Sequence, residues 1–467
     1  MRPLTTLLPL FPLALATPTL IPREPPIEPP TFSPNPITGV WTPTSPFGAL
    51  LYNITNSTSS AHFTIHNAPN VATANLSLTI LEAAYSCFVT TLGWRSPGLA
   101  LGTPHNATVP TPWMKLNIYT DPDLRRSRSA SGMVTPDRPS GYGYVSIVPG
   151  YLTDKPEFEY AVVHVLVHEF AHTVMLAELN WNATVMAWTA WAEPLANWFR
   201  DLYKSGEVCG AARERYGRAK IKADIPSLAS ALGESWRVLV DWQNYYYSWP
   251  FLTYLGYNPD GITGLGLEGV RGLVSGARRD DAGETALHVL GRMLDQAGAG
   301  MSAGEVVAIY WARMAFLDIG HPEGRAQFVE TRGEIHWGKY ILADGKWTVV
   351  KRMAPLYMGS NITPLELTGN DGVVGIEVTL VGENKVPVEA VRVTVAVRNV
   401  VKGDVRYVRF ETLKGEVVIR EDEEAMLVVV NAPDAPASYS AHDPYTTLDS
   451  VGVLYEVVLK GAKFGGH

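Results

Sequence analysis

The chain has 467 residues, 46% apolar and 18% charged, a balance that excludes a mostly disordered protein and suits two or three domains. Lys and Arg total 38 against 46 Asp and Glu, a net charge of −8, so nothing favours binding a phosphate backbone and nucleic acid is not an expected partner. Two cysteines exclude Cys-rich zinc ribbons and disulfide-dense scaffolds.

The first residues, Met1-Arg2-Pro3, lead into an apolar stretch from Leu7 to Leu15 and the small-x-small site Ala14-Leu15-Ala16. A basic start, a short apolar stretch and that ending predict a signal peptide over 1–16. Prolines at 9 and 12 and a length well under about 20 residues argue against a membrane anchor, and no other run reads as a span, so no membrane is expected. Six N-x-[ST] sequons, at Asn53, Asn56, Asn75, Asn106, Asn182 and Asn361, predict a glycosylated surface. In an oxidising compartment Cys87 and Cys209 pair most simply with each other. The expectation is a secreted, extracellular glycoprotein.

Residues 17–47 hold ten prolines, a composition that cannot bury a core and reads as an extended arm or propeptide. From Leu76 apolar residues recur at helical spacing through Ile80, Leu81, Ala84 and Phe88 to Gly93. Strands follow around Met114–Tyr119 and Gly143–Val148. A long helix over about 155–179 starts from a capping box of Asp154 and Glu157, and a second runs from Pro194, as its first turn, to about Tyr203. Further helices cover about 265–276, 282–298 and 302–317. After about residue 345 the period becomes 2, as in Val391, Val393, Val395 and Val397. Similar runs at 373–381, 405–413, 416–420, 426–430 and 453–459 predict an antiparallel β-sandwich with one solvated face.

The chemistry lies in AVVHVLVHEFAHTVML, residues 161–176, where His168-Glu169-Phe170-Ala171-His172 matches H-E-x-x-H. Residues four apart share a helix face, so His168 and His172 can reach one Zn²⁺, while Glu169 projects to the flank where it can take a proton from water. The helix is apolar nearly all round, and a buried His-Glu-His group is costly unless its polar atoms have partners, which a metal supplies. A catalytic zinc takes three protein ligands. Glu193, 21 positions after His172 in the apolar segment WAEPLANW, is the expected third, with Glu178 and Asp201 as weaker choices. His164 stands about 12 Å along the helix from His172, too far to share an ion, and reads as a neighbour of the site or a core residue.

HEFAH followed by Glu193 in A-E-P-L-A-N-W resembles the gluzincin class of zinc metallopeptidases, and within it a family of secreted bacterial and fungal zincin-like proteins that includes the Svx/AvrXca virulence proteins. The likeness covers roughly residues 60–460, through AIYWARMAFLDI and into the β-rich tail. The elements above predict an α+β fold followed by an all-β domain, and the resemblance implies a zincin-like metallopeptidase domain over 48–344 ahead of the sandwich-like domain over 345–467. It also implies one Zn²⁺ per chain on His168, His172 and Glu193, with Glu169 as general base. Many relatives carry Gly after the third ligand, where this chain has Pro194. The class places a Tyr or His to donate to the oxyanion. In the segment Asn244–Tyr254, Tyr247 is the first choice, beside the Ser-Trp-Pro break, and His288 reads as structural.

Seven of thirteen Trp fall between 181 and 249. They read mainly as core packing, with glycan contacts as the alternative. The function expected is a secreted zinc peptidase acting on a protein or glycoprotein. The alternatives are a non-catalytic glycan- or protein-binding effector that retains the zinc site, and a zinc hydrolase of another class such as an amidase.

Overall fold

The computed structural model describes residues 32–35, 54–100, 112–124, 130–137, 141–155, 159–178, 186–217, 221, 225, 228–242, 244–278, 281, 283–369, 372–382, 386–438 and 452–466. The expected signal peptide, most of the Pro-rich arm, Glu157 of the expected capping box, and Asn53, Asn106 and Asn182 lie outside them.

Helix and sheet are mixed in an α+β arrangement. Five strands, β1 (Ser57–Ser59), β2 (Phe63–His66), β3 (Leu116–Thr120), β4 (Gly132–Asp137) and β5 (Tyr142–Ile147), form one sheet in the order β1-β2-β3-β5-β4. β2, β3 and β5 are parallel, and β4 runs antiparallel to β5 at the edge. Helix α1 (Val71–Tyr85) begins at Asn70, whose side chain accepts from Thr73 N at 2.8 Å, and passes into a π-helical turn over Ser86–Thr91. One part of the Pro-rich arm departs from expectation. Phe32 is buried against Tyr85 and Trp113, and Ser33 exchanges backbone hydrogen bonds with Trp113 and Lys115, because a single aromatic between prolines can still fill a core gap.

Two helices carry the centre of the molecule, α2 (Glu159–Ala177) and α3 (Met186–Ser205). Pro194 lies inside α3 rather than at its start. Its ring leaves the Ala190 carbonyl without its helical donor, a cost the buried apolar face of α3 absorbs through Trp191, Leu195, Trp198, Phe199 and Leu202. Residues 160–177 of α2 have a mean hydropathy of 1.3, enough by length and composition to cross a membrane, which the reading of the sequence did not recognise. They are 67% buried within the fold, as a central core helix is. The short helices α4 (Gly210–Arg215) and α5 (Leu228–Gly233) lead to α6 (Trp249–Tyr257), α7 (Leu267–Ser275), α8 (Ala286–Gln296), α9 (Ala303–Met314) and α10 (Pro322–Thr331). Ser302 and Glu305 form a capping box at α9. Cys87 and Cys209 form a disulfide across 122 positions, tying the π-helical turn to the segment before α4.

The period-2 region begins earlier than expected, with β6 (Tyr340–Ala343) and β7 (Lys346–Val349). It continues through β8 (Ser360–Leu367), β9 (Val373–Leu380), β10 (Val391–Asn399), β11 (Val405–Arg409), β12 (Lys414–Val418), β13 (Glu423–Asn431), β14 (Tyr455–Lys460) and β15 (Ala462–Phe464). Two five-stranded antiparallel sheets, β11-β10-β13-β8-β15 and β12-β9-β14-β7-β6, enclose a core that includes Val391, Val393, Val395, Val397, Leu427, Val429 and Val457. The expectation of a solvated outer face fails for the first sheet. Ala396, Met426, Val428 and Val430 on its other face join the main core, and α9 packs on β10 and β13. Asn361 is also corrected: it is fully buried in β8 and donates to the Tyr455 hydroxyl at 3.0 Å, so no glycan can sit there. Asn56 and Asn75 are exposed.

Candidate metal centre

α2 and α3 lie side by side in opposite directions, and their facing residues form a ladder. Tyr160 packs under Lys204 Nζ at 4.2 Å. One turn on, His164 Nε2 accepts from Arg200 at 2.5 Å. His168 Nδ1 meets Asn197 Oδ1 at 3.1 Å, and Glu193 closes the ladder on His168 and His172. The steps of four and three or four residues along each helix place every rung on the shared face.

At that end, one ligand atom each of His168, His172 and Glu193 lies within 4.8 Å of the others, a cluster that could hold a metal ion. The two Nε2 atoms are 3.2 Å apart, and Glu193 Oε2 and Oε1 stand 3.1 and 3.5 Å from the Nε2 of His168 and His172. Ligands at about 2.1 Å from a tetrahedral ion are about 3.4 Å from one another, so the spacing fits. Glu193 Oε2 is buried and, among the described residues, accepts no hydrogen bond, an orphaned acceptor that a cation satisfies. Asn197 Oδ1 can only accept, so the His168 proton sits on Nδ1 and the Nε2 lone pair faces the cluster. Burial opposes ionisation of Glu193, yet positive charge on the two imidazoles, whenever they carry it, holds its carboxyl well below the usual range. His172 is pushed up by Glu193 and Glu169 against the effect of burial.

The cluster lies in a cavity of about 1010 Å³ whose wall includes Gly132, Met133 and Val134 of β4 and also Met175, Tyr246 and Tyr247. Glu169 is 6% exposed, lines the cavity and has its carboxyl pushed up by burial. His164 and Arg200 lie further along the same wall. Burial, with the nearby cations and His168, lowers the His164 pKa to about 2, so it is a neutral acceptor for Arg200 outside the cluster.

The other expected residues take separate places. Glu178 accepts from Arg95 N at 3.0 Å, and Asp201 meets His321 Nε2 at 3.0 Å in the core, so neither joins the cluster. His288 caps α8 through Thr285. Trp191, Trp198 and Trp249 are core residues, 1% exposed each. Tyr247 lines the cavity together with Tyr246, whose hydroxyl is pushed up by burial and by the charges of Glu193 and Glu169.

Reasoning from the sequence missed Asn197, Arg200 and Gly132. The first two carried a signal, since Asn197 is four residues after Glu193 and Arg200 three after Asn197. Gly132 carried none, because Gly132–Asp137 has neither an alternating pattern nor a β-rich composition. No protein-family model matches the chain, and no curated protein matches it.

Proposed function

We propose that this chain is a secreted zinc-dependent peptidase of the gluzincin kind, its zincin-like domain built around α2, α3 and the first sheet. The observation that carries the proposal is the convergence of His168, His172 and Glu193 in the wall of an open cavity that Glu169 also lines. Two imidazoles and a carboxylate suit Zn²⁺, which when bound polarises a carbonyl and lowers the pKa of water toward about 7. Glu169, buried and raised, accepts the proton of the attacking water and passes it to the leaving amine. Tyr246, coupled to Glu193 and Glu169, or Tyr247 beside it, donates to the oxyanion. Among the described residues β4 has a strand neighbour on one side only, and its residues Gly132, Met133 and Val134 line the cavity, so an extended peptide can add there as a strand. The Cys87–Cys209 disulfide and the exposed sequons at Asn56 and Asn75 support secretion as a glycoprotein.

The test is Glu169→Gln assayed on a peptide library. Zinc retained at one per chain with cleavage abolished is expected, whereas turnover near wild type refutes the role of Glu169. A wild-type protein that binds zinc and cleaves nothing, with full biological activity in Glu169→Gln, favours the non-catalytic effector instead.

A further inference from the structure

Gly132 has no backbone reason to be glycine. It lies in β4 opposite Ile147, and its φ is not positive. A glycine inside a strand weakens it, and one there without a conformational need marks a close approach by another group. Here that group is the Glu169 side chain. A Cβ at position 132 would stand 2.5 Å from Glu169 Cγ, 2.7 Å from Cδ and 2.6 Å from Oε1. These are the distal atoms of a flexible side chain, so an added methyl would displace the carboxylate rather than break the backbone. Gly143 on the neighbouring strand β5 is different: a Cβ there meets only Thr135 O at 3.8 Å and Val134 Cγ1 at 4.0 Å, ordinary contacts.

We propose that Gly132 is a positioning residue for the Glu169 carboxylate: by having no side chain, β4 leaves the space that the carboxylate occupies and bounds it from the side opposite α2. This rests on the peptidase reading for its effect on turnover, though the placement of Glu169 can be tested without it. Such a role explains a glycine, a residue depleted in strands, in a strand that lines the cavity.

The experiment compares Gly132→Ala, the control Gly143→Ala and the double variant Gly132→Ala/Glu169→Gln with wild type, all zinc-loaded. Gly132→Ala is expected to hold one zinc per chain and to unfold at a temperature near wild type. Its kcat should fall by about 100-fold or more with KM little changed, the scale of a lost general base. Gly143→Ala should match wild type, and the double variant should be no worse than Glu169→Gln alone, because both changes remove the same group. A second readout needs no turnover. Acetohydroxamate requires the metal and a carboxylate to hold its proton, whereas azide requires the metal alone. Gly132→Ala should weaken the hydroxamate by about tenfold and leave azide unaffected. The proposal is overturned by a kcat near wild type, by losses that add in the double variant, by equal weakening of both ligands, or by a Gly132→Ala chain that does not fold. Zinc-loaded wild type that cleaves no peptide refutes the peptidase reading, and the hydroxamate and azide comparison then decides the role of Gly132.

Discussion

Asn197→Ala removes the one acceptor seen on His168 Nδ1 among the described residues without touching any residue of the cluster. The bond is 3.1 Å long and Asn197 is 3% exposed, so water does not replace it freely. Two costs follow. The Nδ1–H is left unsatisfied in a mostly buried position, worth about 1–3 kcal/mol. The ring is also free to turn or to move its proton to Nε2, where it would block the lone pair that faces the cluster. Losing such a partner typically weakens metal binding by about 10–100-fold, roughly 1.4–2.7 kcal/mol. The same residue donates from Nδ2 to Tyr246 O at 3.4 Å, so the loop bordering the cavity should loosen as well. The assay is zinc affinity by competition with a chromophoric chelator at fixed pH, with Asn197→Asp alongside. Asp keeps an acceptor in place and should bind zinc at least as tightly as wild type. Affinity of Asn197→Ala within about threefold of wild type, or an equal fall in Asp and Ala, would refute the assigned tautomer and the orienting role.

Replacing Cys87 and Cys209 together by Ala reopens a loop of 122 positions, worth about 5 kcal/mol in the chain-entropy account, with observed losses of about 2–5 kcal/mol. Denaturant unfolding should show that loss with zinc stoichiometry intact, since neither cysteine lines the cavity of the cluster; a loss below about 1 kcal/mol would contradict it. Lys339 is fully buried, with Nζ 3.2 Å from Ser235 Oγ and 3.4 Å from the carbonyls of Leu232 and Ile362, and burial pushes its pKa down to about 7. Between that value and the unfolded 10.5 the unfolded chain binds the extra proton, so the stability tied to neutral Lys339 is complete above the window and lost as pH falls through it. Wild type should gain on the order of 2–3 kcal/mol more than Lys339→Met between about pH 7 and 9 in urea unfolding, and parallel pH profiles would sink the idea.

The sequence made the chemistry legible where it is local. HEFAH places two imidazoles one turn apart on any helix, and α2 had to be a buried helix because its apolar residues leave no polar face. The distance from His172 to Glu193 was enough to nominate a third ligand, although the expected geometry was wrong in detail. Pro194 suggested a helix start, and the helix begins eight positions earlier because burial of Trp191, Trp198 and Phe199 outweighs one missing hydrogen bond. The alternating valines likewise announced β10 but not what covers its second face. Arg392, Thr394 and Arg398 looked solvent-facing, while Ala396 between them joins the main core.

By itself, then, the sequence determined the candidate ligand pair, the general-base candidate, the cysteine pair and the strand-rich tail, because each depends on spacing along one element or on there being a single choice. The tertiary structure alone decided which face of α3 meets α2, and so brought Asn197 to His168 and Arg200 to His164. It also buried Asn361 inside a sheet, where a sequon motif cannot register depth. It laid β4 against Glu169 with only a glycine's width between them, a contact between positions 37 residues apart that no local pattern encodes. Periodicity reports one element's own faces, and only the packing of elements against each other says what those faces touch.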